Sequence, residues 1–397
     1  MTSIATPDVR DINSRGIAAM RAGDFKAAEQ LFEQAVALDP KGGGLWRNLA
    51  HARREQGDDA RERAALQSAL DLDLHDLSAL IRMAELLERT KETRDAIVSW
   101  EGVLHMIRAM TPIPDNLKPV LDHAIAYCSA ERDRIAAGIE VELGDAVDGL
   151  DQTARRRARA FIEHAVGGRP IYRNECLGLY YPFLPADEFF DDRHFPWFAD
   201  MAAAAPDIRA ELEALLADPG DLIKAYVRQD KGTPENKWTS LDHNLDWSAI
   251  FLWEFGVPNQ PVLDRCPRTA AALDAIPSVR ARIPARAPSA MFSLLKPHTR
   301  IPPHTGVSNT RAVVHLPLVV PPGCGFRVGG ETRQWVEGVP FAFDDTIEHE
   351  AWNDSDLPRT VLIFDVWNPH LTREEQDVIA RYYAATDRLT AGGAAVE

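Results

Sequence analysis

The sequence predicts an α+β multidomain chain of two unlike parts: an all-α array of helical repeats, followed by an antiparallel β sandwich or barrel. Three observations carry that prediction. Residues of like size recur at a spacing of about 34 positions in the first third of the chain. From about Pro288 the helical period gives way to short β-rich runs separated by Pro, Gly and Asp. A length of 397 residues, 45% hydrophobic and 26% charged, leaves room for two or three domains of about 150 residues, each with its own core.

The repeats come first. Gly16, Ala50 and Ala84 align as the small residue of a first helix, and Phe32, Leu66 and Trp100 as the large apolar residue of a second. Three positions after these come Ala35, Ala69 and Val103; Trp46 matches Leu80, and Gly23 matches Gly57 at the turn between helices. Pro40 closes the first repeat, where a helix must stop. Small residues let paired helices approach, large ones fill the groove between pairs, and each repeat buries its face only by stacking on the next. This pattern resembles tetratricopeptide repeats over about residues 8–107, which implies a concave surface for holding a peptide, a protein or a neighbouring domain.

The expected boundaries are 1–107 for the repeats, 108–170 for a helical connection and 171–397 for the β-rich domain. In the connection Pro112 and Pro114 break the pattern, Leu117 to Leu143 resumes helical spacing, and ARRRARAFIEHA reads as a short basic helix. Arg155, Arg156 and Arg157 there read as a solvated face or as internal ion-pair partners. The region 171–287 mixes helix (PDIRAELEALLAD) with aromatic loops that pack around a β core. The strands are then SAMFSLLK, RAVVHLPLVV, GFRVGG, RQWV, PFAFDD and RTVLIFDVW, closed by the helix LTREEQDVIARYYAA.

Charge and cysteine content narrow the functional classes. A formal net charge of −16 argues against nucleic acid or an anionic membrane as the main partner, because both are bound through basic footprints. Cys128, Cys176, Cys266 and Cys324 lie far apart without a CxxC pair, so neither a disulfide framework nor a thiolate zinc site is indicated, and a reducing cytoplasm is the expected compartment. No signal peptide or membrane anchor is expected from MTSIATPDVRDINSRG or from any later run.

Chemistry is sought on the sheet. His304, in PPHTG, and His349, in DDTIEHEAW, each follow a strand, and at the mouth of a double-stranded β-helix two such histidines can converge on one cation. The usual iron(II) site adds a carboxylate two residues after the first His. Here that position is Gly306, which weakens the metal reading on chemistry alone, and an isolated His is more often a surface or core residue. Arg359, at the start of RTVLIFDVW, shifts the balance: a guanidinium pointing into a barrel is costly unless it meets an anion, and its fork of donors suits a dicarboxylate. Ser293 could add a hydroxyl donor.

The stretches SLLKPHTRIPPHTGVSNTRAVVHLPLVVP and WVEGVPFAFDDTIEHEAWNDSDLPRTVLIFDVWNPHLT closely resemble the aspartyl/asparaginyl β-hydroxylases, which are 2-oxoglutarate-dependent iron(II) oxygenases. LDWSAIFLWEFG looks like the aromatic segment of the same family. The resemblance is strong over about 288–372 and weaker back to about 171, and repeats ahead of the oxygenase domain are the architecture of the animal members. It implies that the β-rich part is a double-stranded β-helix, a jelly roll, and that His304 and His349 are the only protein ligands of Fe(II), with Gly306 a family mark. It further implies that Arg359 and Ser293 hold the distal carboxylate of 2-oxoglutarate, that His315 assists, that Trp247 lines the pocket, and that Arg311 faces a co-substrate or substrate carboxylate. For Trp247 a plain core role stands beside the pocket role. Asp344 and Asp345 read as turn and supporting residues rather than ligands.

One departure matters: Val313 stands two residues before His315, where animal members carry an arginine. The expected reaction uses 2-oxoglutarate and O₂ to hydroxylate the β-carbon of Asp or Asn in a peptide or protein, with the repeats beside the substrate. The alternatives are hydroxylation of a free or carrier-bound amino acid, hydroxylation of a lipid acyl chain, which would call for a membrane-associating apolar or basic segment that is not expected here, or a non-catalytic repeat-based scaffold.

Overall fold

The computed structural model describes residues 8–276 and 281–391; residues 1–7, on which part of the leader reading falls, lie outside them. The chain divides into two compact units, Met1–Gly168 and Arg169–Glu397.

The first unit is all helix. Three antiparallel pairs, α1 (Val9–Arg21) with α2 (Phe25–Leu38), α3 (Gly43–Glu55) with α4 (Asp59–Leu72) and α5 (Leu77–Arg89) with α6 (Thr93–Arg108), are followed by α7 (Lys118–Asp148) and α8 (Gln152–Ala165). Aspartates start several of them: Asp8, Asp24, Asp58 and Asp76 each accept a backbone N–H from the first turn, satisfying a donor that the helix itself leaves open. Gly23 and Gly57 turn the chain inside the first two pairs with φ of +77° and +71°, and the equivalent third position is Lys91, at φ +62°. That lysine holds a left-handed conformation that costs a residue with a Cβ roughly 1 kcal/mol.

The repeat residues form the core. Phe32, Leu66 and Trp100 are essentially fully buried, with Ala50 and Ala84 beside them. A Cβ on Gly16 would collide with the Phe32 ring, so the small residue is required by the close approach of α1 to α2. The segment expected as a connection extends the same core: Ala124 and Cys128 of α7 pack on Trp100, Val103 and Ile107 of α6. The basic helix α8 buries none of its residues, and Arg155 lies on the Asp148 and Leu150 carbonyls.

In the second unit α9 (Phe198–Ala217), α10 (Gln260–Leu263), α11 (Pro267–Asp274) and α12 (Arg373–Ala391) surround eleven strands among the described residues. These are β1 (Lys224–Ala225), β2 (Trp247–Glu254), β3 (Val257–Pro258), β4 (Ala290–Leu295), β5 (Thr299–His304), β6 (Arg311–Val319), β7 (Cys324–Val328), β8 (Glu331–Arg333), β9 (Phe341–Phe343), β10 (His349–Asn353) and β11 (Arg359–Trp367). The larger sheet runs β1-β2-β4-β11-β6-β9 with β3 on β2, and the smaller runs β5-β10-β7-β8. Apart from the β7–β8 hairpin, the strands from β4 to β11 alternate between the sheets, which is compatible with the expected jelly roll.

Alternation along the strands separates two cores. Ile250, Phe292, Val314, Leu362 and Phe364 point outward onto α9 and α11, whereas Trp247, Leu295 and Val361 point inward and meet Ile301, Phe326 and Ala351 of the smaller sheet.

Three details differ from the sequence reading. The aromatic segment at 247–254 is itself a strand, buried along nearly its whole length; covered on both faces, it shows no alternation. RQWV contributes only Arg333 to β8. His304 and His349 lie on strands rather than after them, as the last residue of β5 and the first of β10. Pro302 and Pro303 read as breakers, but β5 is an edge strand, where a missing N–H is tolerated.

Candidate active site

The two sheets enclose a cavity of about 860 Å³ whose wall contains Trp247, Ser293, His304, Arg311, His315, His349 and Arg359. Every residue expected to meet metal, co-substrate or substrate therefore lines one space.

His304 and His349 are direct partners across β5 and β10, and their rings lie 4.0 Å apart, centre to centre. Each Nδ1 is held by a carbonyl of its own strand segment, Pro302 O at 2.8 Å and Ile347 O at 3.0 Å. A carbonyl only accepts, so each Nδ1 carries the proton and each Nε2 keeps its lone pair. Burial, reinforced by the neighbouring His349, drives His304 down to about 3, and burial takes His349 to about 4. Both rings are neutral at physiological pH, with the tautomer fixed from behind, which is how a metal-binding imidazole is prepared.

Deeper in, Arg359 is 1% exposed. Its Nε and Nη1 have no hydrogen-bond partner, and no carboxylate pairs with it among the described residues. Burial pulls it down to about 9, leaving it charged at neutral pH. The guanidinium lies over the Trp335 ring, 4.4 Å from its centre. Ser293, fully buried on the neighbouring strand, accepts a bond from Trp247 Nε1 at 3.2 Å, which keeps its own proton for another acceptor. Trp247 thus belongs both to the inner core and to the cavity wall. His315 is buried among Phe326, Phe341 and Phe343 with Nδ1 unpartnered; burial and then Arg359 hold it well below the ordinary histidine value.

Arg311 has carboxylates of the domain itself beside it. It lines the cavity, but its guanidinium already donates to Asp345 at 3.1 Å and lies 3.7 Å from Asp365, with Nε left without a partner. Asp344 is a turn residue, accepting from the Thr346 N–H and hydroxyl and from Asn174. A Cβ at Gly306 would run into the Asp345 carboxylate, so the place where a third ligand usually projects is already filled by that side chain.

Sequence reasoning missed Trp335, the platform under Arg359, which lies in a loop with no periodic signal. It also missed Asp365, for which a signal existed: strand alternation puts it on the same face as Arg359, Val361 and Ile363.

Residues 202–369 match the family described as Aspartyl/Asparaginyl beta-hydroxylase. The C-terminal domain belongs to that family. Residues 13–100 match the tetratricopeptide repeat, so the hydroxylase domain follows a repeat array. Among curated relatives, an ornithine lipid ester-linked acyl 2-hydroxylase of Rhizobium tropici is 36% identical over 49% of this chain and 66% of its own length. The mouse aspartyl/asparaginyl beta-hydroxylase is 34% identical over 46% of this chain but 24% of its own length. The human aspartate beta-hydroxylase domain-containing protein 2 is 34% identical over 45% of this chain and 48% of its own. The chain thus spans 66% or less of each of these relatives.

Proposed function

We propose that the β-sheet domain is a 2-oxoglutarate- and Fe(II)-dependent dioxygenase that hydroxylates a C–H bond. One observation carries this reading: Arg359 is buried, charged and unpartnered in the same cavity as two neutral histidines whose Nε2 lone pairs remain available. A cationic fork with nothing to bind fits a dicarboxylate, and the paired imidazoles fit a divalent transition metal.

His304 and His349 would hold the iron, which when bound supplies oxygen activation. Arg359 takes the distal carboxylate of 2-oxoglutarate, and the Ser293 hydroxyl donates to the same end. Trp335 holds the guanidinium in place from below, and neutral His315 adds no charge to compete for the anion. Phe326, Phe341 and Phe343 keep water from the co-substrate and so strengthen the ionic contact. A lost Arg359 leaves the dicarboxylate buried without a counter-ion.

The names of the relatives offer two targets, an Asp or Asn side chain and an ester-linked acyl chain. Tetratricopeptide kinship supports a peptide-holding role for the repeats. The four cysteines are free thiols, which supports a reducing cytoplasm as the compartment.

The test is titration of 2-oxoglutarate into the full chain loaded with a redox-inert divalent metal, for the wild type and for Arg359→Met. Saturable binding that disappears in the variant is the expected result. No binding by the wild type, or binding indifferent to the substitution, removes the basis of the proposal.

A further inference from the structure

The segment 172–181 belongs to no strand, yet it lies against the loops beside both histidines. Tyr172, Asn174 and Cys176 are half-buried while Ile171, Arg173, Glu175 and Leu177 are exposed, the period-two alternation of an extended chain with one covered face. Its backbone N–H groups are directed to those loops: Glu175 donates to the Thr346 carbonyl at 2.7 Å, Leu177 to that of Gly306 at 3.0 Å and Gly178 to that of Val307 at 2.9 Å. Thr346 stands just before His349 in the chain, and Gly306 and Val307 just after His304. The two loops also meet directly, through the Gly306 N–H on the Asp345 carbonyl at 2.5 Å. Farther along, Tyr181 and Asn309 exchange two bonds, Tyr181 N–H to Asn309 Oδ1 at 2.7 Å and Asn309 Nδ2 to Tyr181 O at 2.9 Å.

Asn174 adds a side-chain clamp to this backbone lacing. Its Nδ2 donates to Asp344 Oδ2 at 2.7 Å and to the Thr346 hydroxyl oxygen at 2.9 Å, and that hydroxyl gives its own proton to Asp344 Oδ1 at 2.6 Å. One amide thus ties together the two polar side chains of the turn at 344–347. The turn closes with the Ile347 N–H on Asp344 O at 3.1 Å, and the Ile347 carbonyl is the one that accepts from His349 Nδ1. From the Asn174 amide to the His349 ring the chain of contacts is continuous, and bonds linked in this way in a buried setting reinforce one another.

We propose that Asn174 is a positioning residue for the metal-binding pair, an assignment that rests on reading His304 and His349 as the metal ligands. Asn174 fixes the turn that aims His349, and the segment carrying it laces that turn to the loop after His304. The two Nε2 lone pairs therefore keep one relative placement before a metal arrives, so that less ordering is left to be done on binding.

The test is calorimetric titration of Zn(II) into the metal-free full chain. Asn174→Leu keeps the approximate size of the side chain and removes both donors, and Zn(II) should bind about 10- to 100-fold more weakly, the usual loss for a missing outer contact. Ile208→Val trims the core outside the larger sheet; it controls for lowered stability alone and should leave Zn(II) affinity within about twofold. A second readout needs no metal: in chains with nitrogen-labelled histidine, the His349 Nδ1 proton should exchange with water at least about tenfold faster in Asn174→Leu than in the wild type or in Ile208→Val. If Asn174→Leu does not fold, Gly178→Val takes its place with the same loss expected, because a Cβ at 178 meets Val307 Cγ1 at 2.8 Å and pries the segment from the loop after His304. Wild-type affinity in the folded variant, or a loss that Ile208→Val matches, overturns the proposal while leaving the metal site standing. A wild-type chain that does not take up Zn(II) defeats the metal reading itself, and the positioning role with it.

Discussion

In the repeats, Glu62 of α4 is buried to 1% and meets the guanidinium of Arg89 from α5; in the β-sheet domain Arg359 is just as buried and meets no carboxylate among the described residues. Glu29 repeats the first situation, held by Arg53 at 3.0 Å and Arg61 at 2.7 Å from the next pair. A scaffold neutralises its buried charges with its own side chains, so that it is complete when folded. A binding site leaves one charge unmatched, and the ligand completes it. Asp344 shows a third solution, a proton: burial lifts its carboxyl to about 7.

The contrast can be broken most severely at the open groups. His349→Ala removes one of the two lone pairs facing the cavity, and metal affinity should fall by more than the roughly 100-fold typical of losing a supporting contact, as read by titration with Zn(II) or Fe(II). Arg359→Met comes next. It should weaken 2-oxoglutarate at least about a hundredfold and at the same time raise the melting temperature of the ligand-free chain, because an unmatched buried charge is gone. A lower melting temperature would mean that Arg359 is structural, like its counterparts in the repeats.

In the repeats the same logic has the opposite sign. Arg89→Ala strands Glu62 in the core and should destabilise the first unit by on the order of 2 kcal/mol in denaturant titration, the partial exposure of Arg89 holding the loss below that of a fully buried pair. Co-substrate affinity should not change.

The smallest effect belongs to Asp344. Its folded value lies above the ordinary 3.8, so the stability it contributes is fully present below pH 3.8 and is lost as pH rises through about 7. Asp344→Asn should flatten the fall in melting temperature between pH 5 and pH 8, a change of a few degrees at most by the usual relation of stability to melting.

The sequence carried the repeats almost completely, because stacked helices encode their contacts locally: Gly16 is small for the sake of Phe32, and Phe32 recurs as Leu66 and Trp100. The site was legible where one residue type implies one chemistry, as with His304, His349 and the inward-facing Arg359. Arg311 was not. Its partners stand at 345 and 365, and only the pairing of β6 with β9 and β11 brings them within reach. A guanidinium read alone looks like an anion site, and read in register it is one corner of an internal cluster. β5 was hidden by its prolines, which mark a break everywhere except on an edge.

The contact between Gly306 and Asp345 ties two positions together. The shortest path from the proposed two-histidine metal site to one with three protein ligands is a single substitution, Gly306→Asp, yet a Cβ at 306 meets the Asp345 carboxylate, and moving that carboxylate releases Arg311. The two positions therefore constrain each other: a substitution at either disturbs the contacts of the other. In the proposed metal site this crowding leaves His304 and His349 as the donors, because a third ligand has no room to project at 306.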